Sequence, residues 1–326
     1  MKARALWTVA PGVAELRDEV LPQRGPDQAL VRTRASALSR GTERLVLEGR
    51  VPPSQYDAMR APLMAGAFPF PVKYGYCATG VVEAGPAALQ GRRVFVLHPH
   101  QDLFLAPAAM CVPVPDAVPD HRAVLAANME TALNILWDAR PLAGERCLVI
   151  GAGVVGLLAA ALLARIPGIL PTVVDLDPSR AALAEALGAR FALPAGAPAE
   201  QELIIHASAS AAGLQLALDC AAFEARIVEA SWHGDRMVPL PLGEAFHARR
   251  LSILSTQVGA VAPAMRGRRT HAERMALALA LLADPRFDAL SAPVAGFAER
   301  CRPRCPRCWH RAPPRPLPRR HLSIRE

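Results

Sequence analysis

The chain has 326 residues, which is enough for two domains that each bury a core. Its 52% hydrophobic and 20% charged residues exclude a disordered chain and are typical of a compact protein. The formal net charge of +8 lies almost entirely in residues 301–326, which hold eight Arg and one acid. The preceding 300 residues are nearly neutral and do not favour a nucleic-acid partner.

Residues 1–120 are predicted to form a small β-barrel-like domain. Stretches rich in β-forming residues are separated by turns that contain Pro and Gly, and they lie at 3–9, 28–36, 80–84 and 93–97. The N-terminus does not have the pattern of a signal peptide, because Pro11, Gly12 and Glu15 interrupt any apolar run.

From residue 121 the pattern changes to apolar strands that alternate with Ala/Leu-rich helices. This alternation predicts a parallel sheet covered on both faces. Asp177 is expected to cap a helix that begins at Pro178. Helices are predicted at 121–139, 154–165, 178–187, 212–222 and 271–283, and strands at 147–150, 172–175, 203–207, 226–230 and 251–255.

The uncharged run at 147–164 is almost long enough to cross a membrane. Its glycines fall where a strand would turn into a helix, which favours a buried strand and helix instead. Four of the seven cysteines stand singly among apolar neighbours, as reduced thiols do: Cys77, Cys111, Cys147 and Cys220. We therefore expect a soluble, cytoplasmic protein without a membrane partner.

Residues 301–326 differ in composition from the rest of the chain. Cys301, Cys305, Cys308 and His310 could supply a Cys₃His zinc set. The density of Arg and Pro favours a shifted reading frame in a GC-rich gene, since the neighbouring frame gives a Leu-containing stretch typical of an amphipathic helix. A natural disordered tail is the third interpretation. Because three interpretations of the tail stay open, its positive charge does not support nucleic-acid binding.

The strongest motif is Gly151-Ala-Gly153-Val154-Val155-Gly156, which follows an apolar strand and opens a helix. Gly151 permits a tight turn, Gly153 lets the backbone approach a pyrophosphate, and Gly156 lets the helix pack closely on the strand. The phosphates would lie at the positive N-terminus of that helix. The motif therefore predicts a dinucleotide site.

The next predicted strand ends in Asp175, 24 residues after Gly151. A carboxylate there can accept hydrogen bonds from both adenosine-ribose hydroxyls and would repel a 2′-phosphate. This favours NAD over NADP. Arg180 could also reach the ribose, although a solvated helix charge is the other interpretation.

With these residues in place, the chain resembles the medium-chain dehydrogenase/reductase family. Within it, three segments are similar to the bacteriochlorophyllide (2-desacetyl-2-hydroxyethyl) dehydrogenase branch: 37–43, 72–76 and Asn-Met-Glu-Thr at 128–131. The resemblance implies an α/β fold in which a doubly wound Rossmann sheet joins a GroES-like β-barrel. It places the GroES-like catalytic domain at 1–120, the Rossmann domain at 121–262, and a return to the catalytic domain at 263–300, followed by the tail. It also allows a homodimer through the edge of the Rossmann sheet.

The chain departs from its zinc-containing relatives at the metal ligands. According to the resemblance, the relatives have Cys at the position of Ser39 and His at the position of Tyr76. They also have a Cys or Glu near the position of Ala127–Asn128. Hydroxyl groups are poor neutral ligands for Zn²⁺. The family's four-cysteine loop is also missing from 97–110. No zinc is therefore expected, and a residual metal site near Glu130 and Cys77 is the alternative.

Without a metal, hydrogen bonds or a proton donor must polarise the substrate oxygen. Tyr76 is the first candidate, Ser39 and Thr42 could extend a relay, and Lys73 or Glu130 could tune it. The resemblance places Thr131 beside the nicotinamide. Trp232, in a loop after a Rossmann strand, would cover the ring, and His98 and His100 could line the cleft. Each of these side chains also has a purely structural interpretation.

The leading hypothesis is zinc-independent hydride transfer between NAD(H) and an alcohol or carbonyl substrate. A quinone or enone reductase of the same family is a second enzymatic hypothesis. A non-catalytic dinucleotide-binding protein is the third. The sequence leaves the three open.

Overall fold

The computed structural model describes residues 1–290 and the backbone of 295–296 and 321–323. The tail with its three interpretations lies outside the described residues, apart from the backbone of 321–323. Within the described part of the chain, no helix is long and apolar enough to cross a membrane.

The first 113 residues form antiparallel sheets. One sheet has the strand order β2-β1-β5-β4, while in the other β3 pairs with both β6 and β8 and the order continues through β7 to β9. The elements are β1 (Lys2–Ala10), β2 (Val13–Val20), β3 (Gln28–Ala37), α1 (Thr42–Leu47), β4 (Ala65–Gly66), β5 (Val72–Lys73), β6 (Ala78–Ala84), β7 (Arg93–Val96), β8 (Leu103–Pro107) and β9 (Val112–Pro113).

The next 140 residues form a parallel sheet with helices on both faces, as predicted. Its elements are α2 (Asp120–Ala123), α3 (Ala126–Ala139), β10 (Cys147–Ile150), α4 (Val154–Leu163), β11 (Thr172–Val174), α5 (Ala181–Ala186), β12 (Arg190–Ala192), β13 (Gln201–His206), α6 (Ala211–Cys220), β14 (Ala221–Glu229) and β15 (Ser252–Ser255). The strand order is β12-β11-β10-β13-β14-β15. The predicted α/β fold class is confirmed.

The chain then returns to the first half. Helix α7 (His271–Leu281) packs against α3 and β9. Two short strands follow, β16 (Ala295–Gly296) and β17 (His321–Ser323), and β17 pairs antiparallel with β3. Single-turn helices of the 3₁₀ or π type lie at Pro53–Gln55, Ala108–Met110, Pro178–Arg180, Pro194–Gly196, Leu242–Phe246 and Pro285–Leu290.

The central strand β10 shows how the sheet divides the core. Side chains of a strand alternate between its faces. Cys147 and Val149 therefore pack with α3, α4 and α7, whereas Leu148 and Ile150 pack with α6 on the other face. Because both faces are covered, the strand is an uninterrupted apolar run. All four cysteines of residues 1–290 are free and buried, which confirms the prediction of buried thiols.

Most of the predicted elements are confirmed within a few residues. Asp177 caps the turn that leads into α5, since its Oδ1 accepts a hydrogen bond of 3.0 Å from the Ser179 amide. The predicted helix at 121–139 is divided in two, because α2 ends before Val124 and α3 begins at Ala126.

A buried cation joins three segments of the molecule. Arg274 on α7 is only 1% exposed and donates hydrogen bonds to Glu130 Oε1 at 3.0 Å and to Asn134 Oδ1 at 2.6 Å, both on α3. It also donates to the carbonyls of Val258 and Ala260. A buried guanidinium requires this full set of acceptors. The arginine therefore fixes the loop after β15 relative to α3 and α7.

Candidate functional site

An open cleft of about 2580 Å³ is lined by residues of both halves of the chain. Its volume exceeds that of ordinary small-molecule pockets, which is about 300–1,000 Å³. One wall is the carboxyl edge of the parallel sheet, where doubly wound folds bind their ligands. The opposite wall comes from the antiparallel half. The cleft can therefore hold a dinucleotide and a substrate side by side.

The glycine turn lies at this edge and requires its glycines for different reasons. Gly151 has φ +109°, and a Cβ there would lie 2.8 Å from the Ala207 carbonyl carbon. A Cβ on Gly156 would lie 2.0 Å from the Gly151 oxygen. At Gly153 the added atom would meet nothing within 4 Å. Gly153 thus faces open space at the start of α4, where a pyrophosphate would accept hydrogen bonds from the backbone.

Asp175 is held beside the same turn. Its Oδ2 accepts a 2.8 Å hydrogen bond from the Ala152 amide, and its Oδ1 accepts one of 3.0 Å from the Asp177 amide. Arg180 forms an ion pair with Asp177 at 3.2 Å. Asp175, Arg180, Val154 and Val155 all line the cleft. These predicted cofactor residues therefore line the same cleft as the glycine turn.

Three candidate catalytic residues lie across the cleft from the Rossmann sheet: Ser39, Thr42 and Tyr76. The Tyr76 ring meets the buried Tyr74 ring edge-on, with centroids 6.1 Å apart. Burial raises the pKa of Tyr74 well above its ordinary value, and the nearby Tyr76 and Glu43 add to the rise. Tyr74 therefore remains a neutral phenol beside Tyr76.

The Ser39 loop is fixed by a buried hydrogen-bonded chain. The Ser39 amide donates to Glu43 Oε1 at 2.7 Å, and Glu43 Oε2 lies 2.6 Å from His100 Nε2. The other ring nitrogen of His100 lies 2.6 Å from the Ser36 hydroxyl. These residues position the backbone at Ser39.

Helix α3 contributes Glu130 and Thr131 to the cleft. Burial raises the pKa of the Glu130 carboxyl above its ordinary value, although Arg274 acts in the opposite direction. The Thr131 hydroxyl donates a 2.9 Å hydrogen bond to the Ala127 carbonyl. From the Rossmann half, Trp232 reaches the apolar cluster around Tyr74, so it forms part of the seam between the halves.

Lys73 and the two histidines are placed elsewhere. Lys73 is buried and donates to Glu19 and Gln101 at 2.7 and 2.8 Å, so it is not brought together with Tyr76. Neither His98 nor His100 lines the cleft, and the prediction that they do is wrong. The chain turns inward after β7, which stacks His98 on Phe104 with centroids 3.7 Å apart. Burial lowers the pKa of His98 to about 3, so its ring stays neutral.

Two features were missed by sequence reasoning. Asn128 lines the cleft, and its buried Oδ1 has no hydrogen-bond partner among the described residues. The second feature is a cluster of His206, Glu229 and His233 at the carboxyl edge of the sheet. Burial would raise the pKa of Glu229, but hydrogen bonds and charge from His206 and hydrogen bonds from Ser231 hold it below its ordinary value. The Asn-Met-Glu-Thr segment contains Asn128 and could have indicated its role. No single segment indicates the cluster, because His206 is far from the other two residues in sequence.

Comparisons with known proteins agree with this architecture. No protein-family profile matches the chain. A zinc-type alcohol dehydrogenase-like protein of Haemophilus influenzae is 30% identical over 155 residues, which is 43% of this chain and 44% of that protein. The match thus spans less than half of the relative's length.

Solved structures match over almost the whole chain. A candidate zinc-binding dehydrogenase of Sinorhizobium meliloti 1021, bound to NADP, superposes with a TM-score of 0.77 at 16% identity. A short chain alcohol dehydrogenase of Escherichia coli CFT073, complexed with NADH, gives 0.74 at 16% identity. Each comparison covers 99% of both chains. This chain has the fold of these dehydrogenases. At such low identity the likeness establishes the architecture, while the activity has to be argued from the residues.

The two glycines of this dehydrogenase fold give a matched pair of variants. Gly156→Ala places a methyl group against the Gly151 carbonyl, and we expect the free energy of unfolding to fall by about 1–3 kcal/mol. Gly153→Ala has room for its methyl group and normal backbone angles, so its stability should change by less than about 0.5 kcal/mol. Its added methyl group would occupy the approach to the phosphates and weaken NADH binding about tenfold.

Chemical denaturation and NADH fluorescence titration measure the two effects separately. Unchanged NADH affinity in Gly153→Ala would show that the phosphates do not approach the backbone there.

Proposed function

We propose that the chain is a zinc-independent, NAD(H)-dependent oxidoreductase that interconverts an alcohol and its carbonyl compound. One observation carries the proposal: the glycine turn with Asp175 opens onto the same cleft as Tyr76 and Asn128. A nicotinamide cofactor supplies the hydride chemistry when it is bound. The chain's own residues have to bind it, orient it and handle the proton of the substrate oxygen.

The preference for NAD rests on Asp175. Both carboxylate oxygens already accept backbone hydrogen bonds, which fixes the group at the end of β11 next to the turn. Its negative charge would oppose a 2′-phosphate. The nearby Arg180 is partly neutralised by Asp177, so it offers a phosphate less than a full positive charge. One matched structure carries NADP and the other NADH, so the fold does not select the cofactor. The preference for NAD therefore depends on Asp175.

Replacing Asp175 with Asn should weaken NADH binding about tenfold and bring the NADPH affinity close to that of NADH, because the repulsion is removed. Glu185→Gln is the matched control, since it removes an equal charge from an exposed position on α5. Fluorescence titration with both cofactors measures the ratio. Tighter binding of NADPH than of NADH by the unmodified chain would contradict the proposal.

Zinc independence rests on the chemistry of the available donors. The cleft presents a serine, a tyrosine and an amide at positions 39, 76 and 128, and zinc prefers thiolate, imidazole and carboxylate. Glu43, next to Ser39, is held by the Ser39 amide and by His100. Glu130, which lines the cleft, accepts a hydrogen bond from Arg274 at 3.0 Å. That cation already balances its charge, so the carboxylate is a poor ligand. The donor set does not fit a catalytic zinc ion.

Neutral groups then serve the substrate oxygen. The Tyr76 phenol would give its proton to a carbonyl oxygen in reduction and take it back in oxidation. Asn128 Oδ1, which lacks a partner among the described residues, would accept the hydrogen bond of a substrate hydroxyl. Trp232 would exclude water at the seam. The similarity of three segments to the bacteriochlorophyllide dehydrogenase branch supports a large secondary alcohol as the substrate class.

Tyr76→Phe should lower kcat by a factor of about 10² to 10³ with little change in NADH affinity, because a proton donor is lost while the cofactor site is intact. Tyr74→Phe is the control, as its hydroxyl is directed to the Met59 carbonyl at 3.5 Å. The assay follows NADH with a panel of ketones and secondary alcohols, before and after treatment with a chelator.

Turnover of enones alone would favour the reductase hypothesis instead. NADH binding without turnover of any panel member would favour a non-catalytic binding protein. Loss of activity on chelation, restored by zinc both in the unmodified chain and in His233→Phe, would contradict zinc independence.

We further propose that two copies pair through β15. This strand is the edge of the parallel sheet and pairs with β14 alone among the described residues. Leu254 on it is 41% exposed.

Light scattering of the purified protein should give twice the chain mass of 34.8 kDa. Leu254→Arg should shift the mass to that of one chain, because a charge blocks edge pairing, whereas Leu277→Arg on α7 should not. A monomeric unmodified protein would contradict this assembly.

A further inference from the structure

Three ligand-type side chains meet at the carboxyl edge of the parallel sheet. His206 is the last residue of β13 and Glu229 the last of β14, and the two are register partners in the sheet. His233 follows in the turn after β14. The ligand atoms of the three side chains all lie within 4.8 Å of one another.

Both imidazoles converge on one carboxylate oxygen. His206 Nδ1 lies 2.7 Å from Glu229 Oε2, and His233 Nε2 lies 3.5 Å from the same atom. The other oxygen, Oε1, accepts a 2.7 Å hydrogen bond from the Ser231 amide. The far nitrogen of His206, Nε2, lies 2.7 Å from the Ser208 hydroxyl. The hydrogen bonds from Ser231 and Ser208 orient the carboxylate and the ring, as hydrogen bonds to metal ligands do in known metal sites.

A hydrogen-bonded pair of His206 and Glu229 does not account for His233. Its ring is largely buried, and its Nδ1 has no hydrogen-bond partner among the described residues. Buried polar atoms are seldom left unpaired. An ion between the three groups would bind the ring through Nε2, the nitrogen that faces Glu229, and would hold it in place where no hydrogen bond to Nδ1 does.

We propose that His206, Glu229 and His233 bind a divalent transition metal ion such as Zn²⁺. Two imidazoles and a carboxylate are an established zinc ligand set, which leaves a fourth coordination position for water. Bonds of about 2.0–2.1 Å in a tetrahedron put neighbouring ligand atoms about 3.3 Å apart. The atoms of His206 and Glu229, now 2.7 Å apart, need to separate by less than about 1 Å, and His233 is already at 3.5 Å.

This site is separate from the cleft wall at Ser39 and Tyr76, whose donors do not fit zinc. Its ligands come from the Rossmann sheet, whereas Ser39 and Tyr76 belong to the antiparallel half. Glu229 lines the cleft, so the fourth coordination position would face it. The ion would tie the ends of β13 and β14 to the turn that carries Trp232.

Metal binding by the full-length chain tests the proposal. Zn²⁺ alone is titrated by calorimetry, and Co²⁺ is used as a spectroscopic substitute. The expected result is one ion bound with nitrogen and oxygen ligands, seen as visible d–d bands. Ions held by the cysteines at 301–308 would show a thiolate-to-metal charge-transfer band instead, which separates the two sites.

His233→Phe should weaken Zn²⁺ binding at this site by at least about 100-fold. Loss of a group that only hydrogen-bonds to a metal ligand already costs about 10- to 100-fold, and His233 is itself a ligand. Glu229→Gln, which keeps the size of the side chain, should act in the same direction. His247→Gln is the control, since His247 is exposed and outside the cluster. Circular dichroism verifies that each variant is folded.

Two outcomes would overturn the proposal. The first is an unmodified chain whose bound metal shows thiolate ligands only, or that binds none. The second is a folded His233→Phe or Glu229→Gln variant whose affinity equals that of His247→Gln.

Discussion

The close packing of the glycine turn on the strand ends controls the geometry of the whole cleft. A methyl group at Gly156 would meet the Gly151 oxygen, and one at Gly151 would meet the backbone at Ala207. The first turn of α4 can therefore approach both β10 and the loop after β13. This brings the positive end of a helix to the point where Asp175 and the loop after β14 also arrive. The open space at Gly153 beside Asp175 depends on this close approach of α4 to the sheet.

A second constraint fixes the helices and the loop beside that sheet. Arg274 on α7 binds Glu130 and Asn134 on α3 and also two carbonyls of the loop after β15. Removing one partner from such a buried pair costs about 3–5 kcal/mol, because the remaining charge has no compensation. The segment after the Rossmann sheet is thereby fixed against the helix that carries Asn128 and Thr131. The part of the cleft that α3 and the loop after β15 line is thus held by a buried charge as well as by apolar packing.

The fold was largely predictable because its central elements have strong periodicity. The strand at Cys147–Ile150 was predicted with its observed bounds, and Asp177 was recognised as a cap, since both depend on local sequence. Strand β2 was missed because Glu15, Arg17, Asp18 and Glu19 give it no apolar alternation, while its pairing with β1 stabilises it. The positions of Lys73, His98 and His100 depend on how the chain turns between strands, which spacing does not reveal. Predicting the contact between His206 and Glu229 required the register of two strands. Each residue is polar and ends an apolar run, which was the available sequence signal.

The charges of the cleft favour a proton-transfer role for its hydroxyl groups. Asp175 belongs to the cofactor end and Glu130 is compensated by Arg274, so the wall at Ser39, Tyr76 and Asn128 presents neutral donors and acceptors. On the proposed function, a negative charge that develops on a substrate oxygen there would be stabilised by hydrogen bonds from this wall. Hydrogen bonds from O–H groups stabilise such a charge best when water is excluded. The apolar cluster around Tyr74, against which both Tyr76 and Trp232 pack, excludes water from one side of the Tyr76 ring. On the proposed function, the half-buried Tyr76 would depend on its apolar neighbours as much as on its hydroxyl group to serve as a proton donor.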